Sequence, residues 1–204
     1  MIAFIRALAV CLSATALFLP PALADEAQEK LLDQALAAYD EGDFEAAKSI
    51  LLPLANAGNS DAMVQTGFMI HNGEAFIPDA KYECDWYERA ADLGNSEGYY
   101  YLGHCYNEGV GRGLDPKKYY DLLLHSAERG YIPAMINLSG FDNAHGEEYR
   151  HWMKMAVEHG SKFAKVSLWL DNFKDDVPDI KIQDIVCVSW KILIWDGDIL
   201  ECDE

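Results

Sequence analysis

The chain repeats itself, and the length of the repeat limits what it can build. Three stretches align. The first is Ala55-Asn-Ala-Gly58-Asn-Ser-Asp-Ala62, followed by Thr66-Gly67. The second is Ala91-Asp-Leu-Gly94-Asn-Ser-Glu-Gly98, followed by Leu102-Gly103. The third is Ala127-Glu-Arg-Gly130-Tyr-Ile-Pro-Ala134, followed by Leu138-Ser139. Gly58, Gly94 and Gly130 are spaced by 36 residues twice. A weaker copy starts at Val157-Glu-His-Gly160, with Ala164 and Leu168 in register, after an interval of 30. A unit of this size holds two short helices and two turns, and it buries its apolar faces only by stacking on its neighbours.

The marker glycines fall where a helix must stop and reverse, a position glycine fills without strain. Four residues later, Ala62, Gly98, Ala134 and Ala164 are small enough to let helices approach closely. A second turn inside each unit is marked by Asn72-Gly73, by Gly109 to Gly113 and by Gly140 to Gly146. The shorter third interval predicts an inner loop about six residues shorter than the others. Trp86-Tyr87, Leu122-Leu123 and Trp152-Met153 sit on the second helix of successive units and read as core.

These residues resemble the Sel1-like repeat, a relative of the tetratricopeptide repeat. The second unit carries most of the pattern, with Ala91, Gly94, Leu102-Gly103, Tyr106, Gly109, Gly111, Asp115 and Lys118. The first departs from it at Ala75 and Tyr82, and Arg112 stands where a valine is usual. Upstream, Ala38-Tyr39-x-x-Gly42-Asp43-Phe44-x-x-Ala47 looks like a tetratricopeptide-type helix turn. The resemblance covers residues 26–173 and implies an all-α fold, a right-handed α-α superhelix of helix pairs. The expected organisation is an entry helix pair over 25–57, Sel1-like repeats over 58–173 and a non-repeat tail over 174–204.

Both ends differ from the middle. Met1 to Arg6 is positively charged, Ala7 to Leu19 is apolar, and Ala22-Leu23-Ala24 has small residues where a signal peptidase cuts. The expectation is a signal peptide with cleavage after Ala24, and a periplasmic or secreted protein. The apolar run is too short to span a bilayer, so no membrane span is expected. At the other end, Lys174 to Pro178 reads as a loop. Ile185 to Trp195 is then β-branched and aromatic, Asp196-Gly197 is a tight-turn signal, and Asp198 to Cys202 returns. That pattern predicts a β-hairpin, with a helix as the alternative.

Cleavage would leave four cysteines: Cys84, Cys105, Cys187 and Cys202. Cys84 precedes Gly94 by ten residues and Cys105 follows Asn95 by ten, so the two face each other across a helical hairpin. A disulfide there closes a loop of about 20 residues and contributes about 3 kcal/mol in the loop-entropy picture. Cys187 and Cys202 form a candidate second pair.

The chain carries 16 Lys and Arg against 34 Asp and Glu, a formal net charge of −18. Such a surface repels nucleic acid and favours a basic partner. No zinc-type cysteine spacing, H-E-x-x-H, G-x-S-x-G or phosphate-loop pattern occurs, so neither a cofactor nor a metal is expected. The expectation is a non-catalytic protein–protein interaction module of the bacterial envelope, an adaptor or an inhibitor of the immunity type, binding a protein or peptide on its concave face. First-helix residues line that face in such arrays, which nominates Gln65, Met69, Tyr99, Tyr101, His104 and Asn137. Two alternatives differ in class. The resemblance to cysteine-rich Sel1-like proteins implies weak β-lactam binding or hydrolysis, and the apolar tail suggests a self-associating structural protein.

Overall fold

The computed structural model describes residues 21–141 and 146–176. All elements among them are helices: α1 (Pro21–Asp40), α2 (Phe44–Asn56), α3 (Ser60–Asn72), α4 (Ala80–Asp92), α5 (Ser96–Glu108), α6 (Pro116–Ala127), α7 (Ile132–Ser139), α8 (Glu147–Glu158) and α9 (Lys162–Asp176). Each packs on the helices before and after it, and the main contact beyond these neighbours is α3 on α5. This is the one-dimensional stacking the repeat implies. Positions 1–20 of the expected leader, the expected β-hairpin, and Cys187 and Cys202 lie outside the described residues.

Short polar side chains start α2 to α6. Asn59 and Asn95 accept hydrogen bonds from the backbone N–H groups of Ala62 (2.9 Å) and Gly98 (2.8 Å). Asp43, Asp79 and Asp115 accept in the same way from Ala46, Tyr82 and Lys118. Each such cap stabilises its helix by about 1 kcal/mol. The Asn95 amide also donates to Asp61 (2.6 Å) and Ser60 (3.1 Å), tying one unit to the next.

Gly94 ends α4 with φ +83°. Its N–H donates to Ala91 O at 2.8 Å, and Asn95 N–H donates to Ala90 O at 3.1 Å. Gly58, Gly130 and Gly160 repeat the positive φ. At Gly98 the need is space rather than conformation: a Cβ there would lie 2.7 Å from Ala90 Cβ and 2.9 Å from Ala91 N. Ala62, Ala134 and Ala164 are fully buried in the matching positions.

Two expectations need correction. Seven residues separate the two helices in each of the first two units, 73–79 and 109–115. In the third unit, five of the six missing residues come from the first helix, since α7 has 8 residues where α3 and α5 have 13. At 1.5 Å per residue, α7 is about 7 Å shorter. The loop read at 174–178 also starts late, because α9 continues through Asp176.

The core forms two clusters that meet at α6. Leu122 belongs to the cluster built from α1 to α5, and Tyr119 and Leu123 to the one running through α7, α8 and α9. Trp86 (3% exposed) and Trp152 (7%) are core residues, as their positions in the repeat implied.

Candidate functional site

The stacking of α3, α4 and α5 leaves a cavity of about 330 Å³ at one end of this trio. Phe68 and His71 reach it from α3, and Ala80, Glu83, Cys84 and Tyr87 from α4. Tyr100, Tyr101, His104, Cys105 and Glu108 come from α5, and Val110 comes from the loop after it. Helical periodicity explains the set. Residues 101, 104 and 108 recur at intervals of three and four, as do 80, 83, 84 and 87, so each helix turns one face inward.

Cys84 and Cys105 are joined by a disulfide, Cα to Cα 6.2 Å, as the hairpin register predicted. It forms part of the cavity wall. The inner loop of the second unit folds over it: a Cβ on Gly111 would overlap the Ala80 carbonyl oxygen and lie 2.8 Å from Cys84 Sγ. Arg112 fixes that loop to α4, donating to Asp85 at 2.7 Å and Glu88 at 2.8 Å. The departure from the repeat pattern at this position thus has a structural role.

The rings are interlocked. Phe68 packs edge-on to Tyr101 at 4.5 Å between centroids, and Tyr101 stacks on Tyr87 at 5.2 Å. Tyr100 packs against Tyr101, His104 and Tyr131, and His104 leans on Tyr119. From α7, the Asn137 amide donates to the hydroxyls of Tyr100 (3.3 Å) and Tyr119 (3.4 Å) and sits 3.5 Å from His104 Nε2. An aromatic path therefore runs from the cavity to the next repeat.

Burial governs the ionisable groups here. It raises the Glu83 carboxyl, an effect opposed by His71 at 3.1 Å and reinforced by Glu108. It lowers His104 and raises Tyr87 and Tyr101. His104 is thereby held neutral near pH 7 and presents a ring nitrogen that can accept from Asn137.

Of the six nominated residues, the structure gathers three: Tyr101 and His104 line the cavity and Asn137 touches them from α7. Met69 is 0% exposed and belongs to the core, so it presents no surface to a partner. Tyr99 faces α6 instead, with its ring 5.4 Å from His125 and under the Arg129 guanidinium. Gln65 is half-buried on α3 outside the cavity wall. The sequence reading missed Phe68, Tyr87, Tyr100, Glu83 and Glu108. The signal was present in the period: Phe68 and His104 are 36 residues apart and share a register.

Among the described residues, no group of three metal-ligating side chains occurs, and no helix is long and apolar enough to cross a membrane. No protein-family profile and no curated protein matches the chain. Solved structures do match, among them the following two. One, described as a Sel1 repeat protein from Oxalobacter formigenes, is 20% identical with a TM-score of 0.61, covering 69% of this chain and 58% of that one. The other is a protective antigen present in uropathogenic Escherichia coli strains, displaying an SLR fold. It is 25% identical with a TM-score of 0.61, covering 81% of this chain and 37% of that one. The chain thus spans about three fifths and about a third of these two proteins.

Proposed function

We propose, from the premise that the chain is a Sel1-like repeat protein, that it is a non-catalytic binding module acting as an adaptor or inhibitor in the bacterial envelope. The observation that carries this reading is the interlocked aromatic face spanning α3, α5 and α7. Rings held by one another lose little entropy when a partner covers them, and Tyr-rich surfaces commonly anchor protein interfaces. Stacked helix pairs hold such a face in a fixed curve, which suits an extended segment of another protein. The location rests on the leader-like residues 1–24 and on the Cys84–Cys105 disulfide, a bond that persists in oxidising compartments. The acidic balance of the chain favours a basic partner.

Capture from an envelope extract at two salt concentrations tests the reading. The immobilised full chain should enrich one or a few proteins, more weakly at higher salt. The Tyr100→Ala/His104→Ala variant should lose at least about tenfold of that enrichment. Leu93→Ala, at an exposed position outside the cavity wall, should not. Equal capture by all three proteins, or no enrichment, contradicts it.

A further inference from the structure

We propose that the cavity beside the Cys84–Cys105 disulfide receives a single lysine or arginine side chain of the protein partner. This deepens the binding reading above and rests on it for the identity of the ligand as a protein. The cavity's volume lies at the low end for ligand pockets, the scale of one long side chain rather than a folded segment. Its walls include Phe68, Tyr101, Val110 and the disulfide, which suit the apolar stem of such a side chain. Its charged groups are two carboxylates, Glu83 and Glu108, with no Lys or Arg in the wall. Nearby cations are engaged elsewhere: Lys81 on Asp85, Arg112 on Asp85 and Glu88, Lys117 on Asp121. Lys118 is held over the Tyr106 ring and donates to its hydroxyl.

Two features of the wall fit a cationic occupant. Tyr87 is 2% exposed and lines the cavity, and no hydrogen bond among the described residues engages its hydroxyl, which is left available to a ligand there. Glu83 is mostly buried beside Glu108, and its only ion-pair partner among the described residues is His71. A cationic head between the two carboxylates relieves their repulsion, is attracted to the flanking tyrosine faces, and supplies a donor to Tyr87. An apolar side chain of the same length, such as that of norleucine, does none of these things.

The test uses the full chain and blocked pentapeptides, acetyl-Gly-Gly-X-Gly-Gly-amide, with X as Arg, Lys or norleucine, and free agmatine as a further probe. The ring proton resonances of His71 and His104 report occupancy. The Arg and Lys peptides should produce saturable shifts at concentrations about tenfold below any effect of the norleucine peptide. Glu83→Gln/Glu108→Gln should abolish that preference while leaving the circular dichroism spectrum unchanged. Equal binding of norleucine, an unchanged preference in the double variant, no shift with any peptide, or saturation by agmatine alone overturns the assignment. If a partner is captured but the peptides show no cation preference, the cavity assignment fails and the module reading stands. If the Arg and Lys peptides bind and no partner is captured, the module reading fails first.

Discussion

Replacing Cys84 and Cys105 together by serine is expected to lower stability by about 3 kcal/mol. The cross-link spans 21 residues and joins α4 to α5, so its removal frees the unfolded chain at the junction between two repeats. For a chain of this size the loss corresponds to a fall in melting temperature of roughly 6–12 °C. Stacked repeats respond locally, so the effect should concentrate on α3 to α6, and amide exchange there should quicken more than in α8. Because both sulfurs form part of the cavity wall, the variant should also lose the peptide preference proposed above. Thermal melts of the wild type and the double variant check this. A change below about 2 °C would show that packing alone holds the junction.

Gly111→Ala is expected to be the most damaging single-methyl change, at about 3 kcal/mol. Gly111 sits at φ +72°. An alanine in that left-handed conformation costs roughly 1–2 kcal/mol. The new methyl group must also displace the Ala80 carbonyl and the disulfide sulfur. Such an overlap costs roughly 1–3 kcal/mol more. Gly113→Ala is the control, since nothing lies within 4 Å of a Cβ there. The equivalent position in the preceding unit gives the opposite sign. Ala75 already sits at φ 57°, where the repeat pattern has glycine. Ala75→Gly should therefore gain up to about 1 kcal/mol. Urea melts of the three variants should order as Ala75→Gly above wild type and Gly113→Ala, with Gly111→Ala far below. Equal stability of Gly111→Ala and Gly113→Ala would contradict the packing of this loop on α4.

The fold was largely legible because the period itself carries it. The 36-residue spacing of Gly58, Gly94 and Gly130 placed the helix ends, and the distances of Cys84 and Cys105 from the shared turn placed the disulfide. The shortened α7 was not legible. An interval of 30 says how many residues are missing, whereas only the structure shows the helix ending at Ser139 with Gly140 as its cap. The site was read in part. Asking only which helix a residue occupies nominates Met69 and Tyr99; asking which register it occupies excludes Tyr99. Tyr99 aligns with Met63 and Met135, which are buried, whereas Met69 aligns with the cavity-wall residue Cys105 and only its own full burial in the structure removes it. Gln65, Tyr101 and Asn137 share another register, and two of those three belong to the aromatic face. Glu83 and Tyr87 could not be reached from first-helix reasoning at all, because α4 supplies one wall of the cavity.

The binding reading depends on where a partner touches the chain. Hydrogen exchange of the full chain, alone and with its captured partner, maps that contact. Slowed exchange over α3, α5 and the loop at 109–113, with the outward faces of α6 and α8 unchanged, is the expected result. Protection confined to α6 and α8, or spread evenly along the array, would contradict a binding face built on the Tyr100–Tyr101–His104 cluster.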